Sequence, residues 1–272
     1  MTNLELLLKN RELPLIMGIV NATYDSFSNG GAFGTVDQAL QMLDEGADII
    51  DIGGESTRPG ATEVAYQDEI DRVLPLVKGI KKCRPDAVLS VDTRKAEVAK
   101  AVLDEGVEII NDVSNLEFSD KMAETVAAYG ATLVLMHSRG NPQTMNDLCG
   151  YDDLVAEVKS GLIASMQKAL TAGVKKEHIW IDPGLGFAKT DEQNFELLRE
   201  IRQFKEIAPV LIGHSRKRFI RNFLNIETSE ADFGTAAVSI YAMMQGADIL
   251  RVHNVKNTYE VLKIFRKCNS YE

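Results

Sequence analysis

Residues 49–60, IIDIGGESTRPG, decide how this chain is read. Ile49, Ile50 and Ile52 form an apolar run interrupted only by Asp51, the pattern of a strand covered on both faces. Gly53 and Gly54 end the run, and a polar loop continues through Glu55, Ser56, Thr57 and Arg58 to Pro59 and Gly60. Glycine lets the backbone take conformations closed to other residues and lets a ligand approach closely. Hydroxyls and a guanidinium just past a strand end can hold a carboxylate or a phosphate. Taken alone, the stretch is an ordinary strand-to-helix connection. It becomes a site only if other strand ends bring complementary groups to the same place.

The same alternation repeats outward from it in both directions. Apolar runs at 15–21, 87–92, 107–112, 131–137, 178–182, 209–213 and 247–253 read as strands. Between them lie helical stretches at about 35–45, 65–82, 95–105, 119–129, 152–172, 191–205 and 231–245, with a closing helix at 255–267. Thr35 is placed to cap the first of these, and Val36, Ala39, Leu40 and Leu43 share one of its faces. In the next, Ile70, Val73, Leu74 and Val77 are the expected inward face. Gly46, Gly106, Gly130, Gly173 and Gly246 stop five of the helices. Eight strand–helix units with short connections predict a parallel sheet closed into a single α/β (β/α)8 TIM barrel over residues 1–272. The alternative is an open doubly wound sheet.

Bulk properties narrow the function. The 272 residues are 45% hydrophobic and 26% charged, an ordinary composition with ample core. A net charge of −10 disfavours non-specific binding to nucleic acid or to an anionic membrane, though a locally basic pocket for a small anion remains open. No apolar run approaches the roughly 20 residues that span a bilayer, and the N-terminal MTNLELLLKNRELP lacks the basic start of a signal peptide. Cys83, Cys149 and Cys268 are odd in number and have no metal-ligand spacing, as expected of reduced thiols in a cytoplasmic protein.

In a barrel of this kind the site lies at the C-terminal ends of the strands. Those ends carry Asn21, then Thr57 and Arg58, Asp92, Asn111 with Asp112, Met136 with His137, Asp182, Ser215 to Lys217, and Arg251 with His253. Singly, Asp92 and Asp182 would be helix caps, Asn111 and Asp112 turn residues, and residues 216–218 a solvated helix start. Polar groups at the same end of all eight strands argue otherwise. Asp92, Asn111 and Asp182 offer acceptors and one amide, suiting a flat heterocycle rich in N–H donors. Lys217 can meet a ring carbonyl or nitrogen. Arg251 can stack on a ring face while its edge meets a phosphate. Asn21, Arg58, Arg251 and His253 form an anion-recognising group, and neutral Asn21 can ligate Mg²⁺ held mainly by phosphate oxygens.

These residues sit in GIVNATYDSFSNGG (18–31), DIGGESTRPGA (51–61), SVDTRKAEV (90–98), INDVSNL (110–116), LVLMHSRGNPQTM (133–145), IDPGLGFAKT (181–190), GHSRKRF (213–219) and LRVHNV (250–255). In order and spacing the set resembles the dihydropteroate synthase family of folate synthesis. The resemblance implies a transferase joining 4-aminobenzoate to 6-hydroxymethyl-7,8-dihydropterin diphosphate, with Mg²⁺ required and sulfonamides competing for the aminobenzoate pocket. It implies pterin binding by Asp92, Asn111, Met136, Asp182, Lys217 and Arg251, with Asp92, Asp182, Lys217 and Arg251 carrying catalysis. Asn21, Arg58, Arg251 and His253 would serve the diphosphate, and Asn21 the metal. Thr57, Arg58, Phe187, Ser215 and Lys217 would form the aminobenzoate pocket. Asp25 and Phe27 would belong to a first mobile loop and residues 55–60 to a second, and a homodimer is implied, formed through the last helices.

Two residues depart from the family pattern, Tyr24 where proline is usual and Asn29 where aspartate is usual. Both bear on the aminobenzoate side rather than on the pterin. A corrinoid methyltransferase with a pterin-binding barrel would have no need of Ser56-Thr57-Arg58 or of a diphosphate site at Asn21 and His253. A non-enzymatic pterin-binding relative would be expected to lose loop or cation residues.

Overall fold

The computed structural model describes residues 3–11, 13–22, 34–57 and 60–269. Eight strands form one sheet: β1 Leu15–Asn21, β2 Ile49–Gly53, β3 Val88–Asp92, β4 Ile109–Asp112, β5 Thr132–Met136, β6 Ile179–Asp182, β7 Leu211–Gly213 and β8 Ile249–Val252. Every pairing is parallel, in the order β6-β5-β4-β3-β2-β1-β8-β7. A bridge between Ile181 and Val210 joins the two ends, so the sheet closes on itself. Each strand pairs with its sequence neighbours, as a (β/α)8 barrel requires and a doubly wound sheet forbids.

Helices fill the connections: α1 Asn3–Asn10, α2 Val36–Asp44, α3 Tyr66–Cys83, α4 Ala96–Leu103, α5 Met122–Tyr129, α6 Leu154–Thr171, α7 Asp191–Arg199, α8 Ile201–Phe204, α9 Arg218–Leu224, α10 Asp232–Met244 and α11 Val255–Asn269. Thr35 caps α2 as expected, its hydroxyl accepting from the Gln38 N–H at 3.0 Å. The single helix expected over 191–205 is interrupted at Glu200. The segment after β7 forms α9, which buries Phe219 and Ile220. The inward face of α3 is Glu69, Val73, Leu76, Val77 and Ile80, with Ile70 and Leu74 only half-buried. That stripe keeps helical spacing but begins with an acid, so the apolar residues alone point to a face turned slightly away from it. No helix among the described residues is long and apolar enough to cross a membrane.

The side-chain period of two divides each strand between an outer layer under the helices and the barrel interior. One residue from every strand fills the interior floor: Met17, Ile49, Val88, Ile109, Val134, Trp180, Leu211 and Ile249, closed beneath by Leu15 and by Leu4 of α1. Two residues further along each strand lies the next interior layer, mostly polar where the floor is apolar. It holds Asp51, Ser90, Asn111, Met136, Asp182 and Arg251.

The floor generates a stability prediction. Trp180 is fully buried and its indole N–H has no partner among the described residues, so its contribution is volume. Trp180→Ala is expected to cost about 3–5 kcal/mol in urea unfolding followed by circular dichroism, and Trp180→Phe much less. Equal losses for the two variants would mean that the indole nitrogen matters.

Candidate active site

The site begins with a charge buried inside the barrel. Arg251 points inward from β8, and its Nε donates to Asp51 Oδ2 at 2.6 Å. Its terminal nitrogen donates to Asp92 Oδ2 at 2.7 Å. The other oxygen of Asp51 accepts from Ser90 Oγ at 2.5 Å. Strand register makes this possible: Asp51 lies opposite Ser90, and Asp92 opposite both Gly53 and Asn111. Burial opposes the guanidinium charge, but Asp51 and Asp92 more than offset it and raise its pKa further. Burial pushes Asp92 up to about 7, with Arg251 pulling the other way.

Across the mouth, Asp182 ends β6 beside Met136 of β5. Its Oδ1 accepts the Gly184 N–H at 2.7 Å. Gly184 has φ +73°, and a Cβ there would lie 1.9 Å from the His137 carbonyl oxygen, so the turn following β6 excludes any other residue. Lys217 reaches over this turn to donate to the Leu185 carbonyl, with its ammonium 4.5 Å from the centre of the Phe187 ring. Burial lowers Lys217 to about 8, Asp182 opposing. Burial likewise raises Asp182, against the pull of Lys217. Asp92, Asn111, Met136 and Asp182 are all buried, each at 7% exposure or less. They converge on one mouth with Lys217 and Arg251.

Of the residues expected to meet the anion and the aminobenzoate, the described ones lie around that mouth. The His253 N–H donates to Ser215 Oγ at 3.1 Å, and the ring Nδ1 lies 3.0 Å from the same oxygen. Ser215 is thus tied to the diphosphate residue of the sequence reading as well as lying near Lys217. Asn21 is half-buried at the end of β1, opposite Gly53. Thr57 and Phe187 line a cavity of about 100 Å³ shared with Ser56, Ser138, Arg139 and Gln143. This cavity adjoins the pterin set rather than containing it. Arg58, Asp25, Phe27, Tyr24 and Asn29 lie outside the described residues.

Three contributors escape a reading that looks only at strand ends. Asp51 and Ser90 lie within strands; a strict count of two from Ile49 would have turned Asp51 inward. Lys189 is 2% exposed, with its ammonium 2.9 Å from the Phe187 carbonyl oxygen and 3.2 Å from His137 Nδ1. Burial lowers Lys189 to about 7 and His137 to about 3, so the ring is neutral and can accept. The glycines of the opening stretch also act differently from expectation. A Cβ on Gly54 would stand 2.8 Å from Glu69 Cγ and Val73 Cγ1, so its bareness admits α3 rather than a ligand.

Comparison with known proteins agrees with this geometry. Residues 17–253 match the pterin binding enzyme family. A dihydropteroate synthase of Synechocystis is 42% identical over 255 residues, covering 92% of this chain and 88% of the relative. The chain belongs to the dihydropteroate synthase family. Among solved members, the Clostridium difficile enzyme in the presence of pteroic acid superposes with a TM-score of 0.87 at 39% identity, over 96% of this chain and 98% of the other. The Yersinia pestis synthase with a sulfonamide drug complex gives a TM-score of 0.90 at 39% identity, over 95% of each chain.

For a pterin-binding synthase, the shifted groups fix a pH window. Lys217 keeps its ammonium only below about pH 8, and Asp92 is an acceptor-only carboxylate only above about pH 7. Affinity for 7,8-dihydropterin, titrated calorimetrically, is therefore expected to fall on both sides of that interval. In Lys217→Met the alkaline limb should vanish and the acid limb remain. An alkaline limb unchanged in the variant would rule Lys217 out as its source.

Proposed function

We propose that the chain condenses 6-hydroxymethyl-7,8-dihydropterin diphosphate with 4-aminobenzoate, giving 7,8-dihydropteroate and diphosphate in folate synthesis, and that sulfonamides compete for its aminobenzoate pocket. The observation that carries this reading is the convergence of Asp92, Asn111, Asp182, Lys217 and Arg251 on one barrel mouth. The pterin's amino and ring N–H groups would donate to Asp92 and Asp182, with Asn111 completing the edge and Met136 covering one side. Lys217 would meet a ring acceptor, and Arg251 would lie against the ring. Asn21, Arg58, Arg251 and His253 would hold the diphosphate, and Thr57, Arg58, Phe187, Ser215 and Lys217 the aminobenzoate.

The chemistry suited to these groups is dissociative. The bond between the pterin methylene carbon and the diphosphate oxygen breaks, and its electron pair leaves with the diphosphate. Asp92 and Asp182 stabilise the methylene cation through the ring. The aniline nitrogen then supplies a pair to the carbon and loses a proton to solvent or to the diphosphate. No activated nucleophile of the protein is required; positioning and electrostatics supply the rate.

A divalent cation fits this donor set in one way. Among the described residues no group of three or more His, Cys, Asp or Glu side chains could hold a metal, so Asn21 would be a single protein oxygen on Mg²⁺ carried mainly by the diphosphate. When bound, the ion would neutralise charge on the leaving group. The activity fits the cytoplasm, where Cys83, Cys149 and Cys268, all free thiols, stay reduced.

Two experiments test the reading. Diphosphate release from the pterin substrate should depend on added 4-aminobenzoate, and Lys217→Ala should lower kcat/KM by roughly 100-fold or more. A protein that binds the pterin diphosphate yet releases no diphosphate with aminobenzoate is not a synthase. We also propose a homodimer through α9, α10 and α11, which pack side by side. They expose Phe223 at 76%, Phe233 at 86% and Ile264 at 67%, large apolar surface for a monomer to leave in water. Light scattering should report a dimer for the native chain and a monomer for Phe233→Glu; a monomeric native chain ends that proposal.

A further inference from the structure

The loop between β2 and α3 carries Thr57, and its two ends are fastened by a residue from the next strand's loop. Arg94 follows β3 by two residues. Its Nε lies 3.0 Å from Glu55 Oε2 and its terminal nitrogen 3.1 Å from Glu55 Oε1, a two-pronged grip. The same terminal nitrogen lies 3.3 Å from Glu63 Oε2. The guanidinium sits 4.0 Å over the Phe118 ring, which braces it from the β4 side. Glu55 also accepts the Val64 N–H at 2.9 Å and the Lys95 ammonium at 2.9 Å. Glu55 and Glu63 stand on either side of Thr57 in sequence, and Arg94 meets both carboxylates. At its outer turn, the Gly60 N–H donates to the Pro142 carbonyl at 2.9 Å.

Burial ranks these contacts. The Arg94 and Glu55 side chains are 14% and 6% exposed, so their pair is shielded and strong. Glu63 is 61% exposed, and its arm is a weak latch. Among the described residues, the clasp makes no hydrogen bond or ion pair to the pterin groups or the anion group. It forms one wall of the cavity that Thr57 and Phe187 share.

We propose that Arg94 is a positioning residue for the second substrate: its two-pronged grip on Glu55, which also accepts the Val64 N–H, holds the neighbouring Thr57 at the aminobenzoate pocket. This rests on the synthase reading above. Without the clasp, aminobenzoate must order the loop as it binds, and that cost appears in its apparent affinity. Loop amides are correspondingly freer to exchange.

The test uses Arg94→Met, which keeps the stem, Arg94→Lys, which keeps the charge without the fork, and Glu63→Gln, which removes only the latch. Arg94→Met is expected to raise KM for 4-aminobenzoate roughly tenfold while KM for the pterin diphosphate and kcat stay within about twofold. Arg94→Lys should recover part of the loss, and Glu63→Gln should change KM by less than about threefold. Deuterium exchange of peptides spanning 55–64 should accelerate in Arg94→Met, with β3 and β4 peptides unchanged. An unaltered KM for aminobenzoate overturns the proposal. So does a parallel rise of both KM values with faster exchange across β3, which marks general loosening. A native chain that makes no dihydropteroate defeats the synthase reading, and with it the substrate named here. The exchange arm still decides whether Arg94 holds Glu55 and its neighbours in place.

Discussion

The guanidinium of Arg251, buried inside the barrel between Asp51 and Asp92, is the constraint on which the site depends. Taking such a charge out of water is expensive and is tolerated only with close, well-aimed partners. Asp51 is fully buried and holds the guanidinium from one side, with Ser90 satisfying its second oxygen. Asp92 holds it from the strand-end side. The arrangement fixes where Asp92 points before any ligand arrives. It also explains a strand that carries a carboxylate between isoleucines: Ile49 belongs to the barrel floor, and Asp51 is the first rung of the site above it.

The turn after β6 is a second fixed point, built by different means. Gly184 lets the chain pass against the His137 carbonyl, and its N–H orients Asp182. Lys189 reaches from the end of the same turn to the Phe187 carbonyl and the His137 ring. Lys217 arrives from the neighbouring loop to meet the Leu185 carbonyl. Two lysines therefore hold backbone carbonyls around one aspartate. The turn is kept in shape by ammonium groups as well as by the burial of Leu185 and Ala188, and Phe187 stands as an aromatic wall beside polar chemistry.

The barrel was legible because its signals are redundant. Eight apolar runs recur between helices that mostly end on glycine, and β1 and β2 fall where the sequence puts them. The strand ends bring Asp92, Asn111, Met136, Asp182, Lys217 and Arg251 to one mouth. The failures have physical causes. On α3, Glu69 reads as solvent-facing, yet it is buried because Lys95 reaches it at 2.5 Å, and no apolar count can show that pairing. The helix α9 is hidden by its basic start, although Phe219 and Ile220 carry its core face. Asp51, Lys189 and Arg94 matter through partners 200, 52 and 39 residues away in sequence. Such partners meet only once the barrel has closed.

Charge balance links the fold to the proposed reaction. The acids Asp92 and Asp182 share the mouth with Lys189, Lys217 and Arg251, each close enough to shift another's protonation. A diphosphate ester would bring excess negative charge to this mouth, beside His253 and Arg251. As the leaving group departs, that excess moves outward. The methylene left behind becomes positive where Asp92 and Asp182 are already held in place. The field that develops is one the site has before the substrate enters, so little reorganisation is needed at the moment of bond breaking. Water is the competing nucleophile for such a cation, and on the proposed reading a held Thr57 beside Phe187 would favour the aniline nitrogen over it.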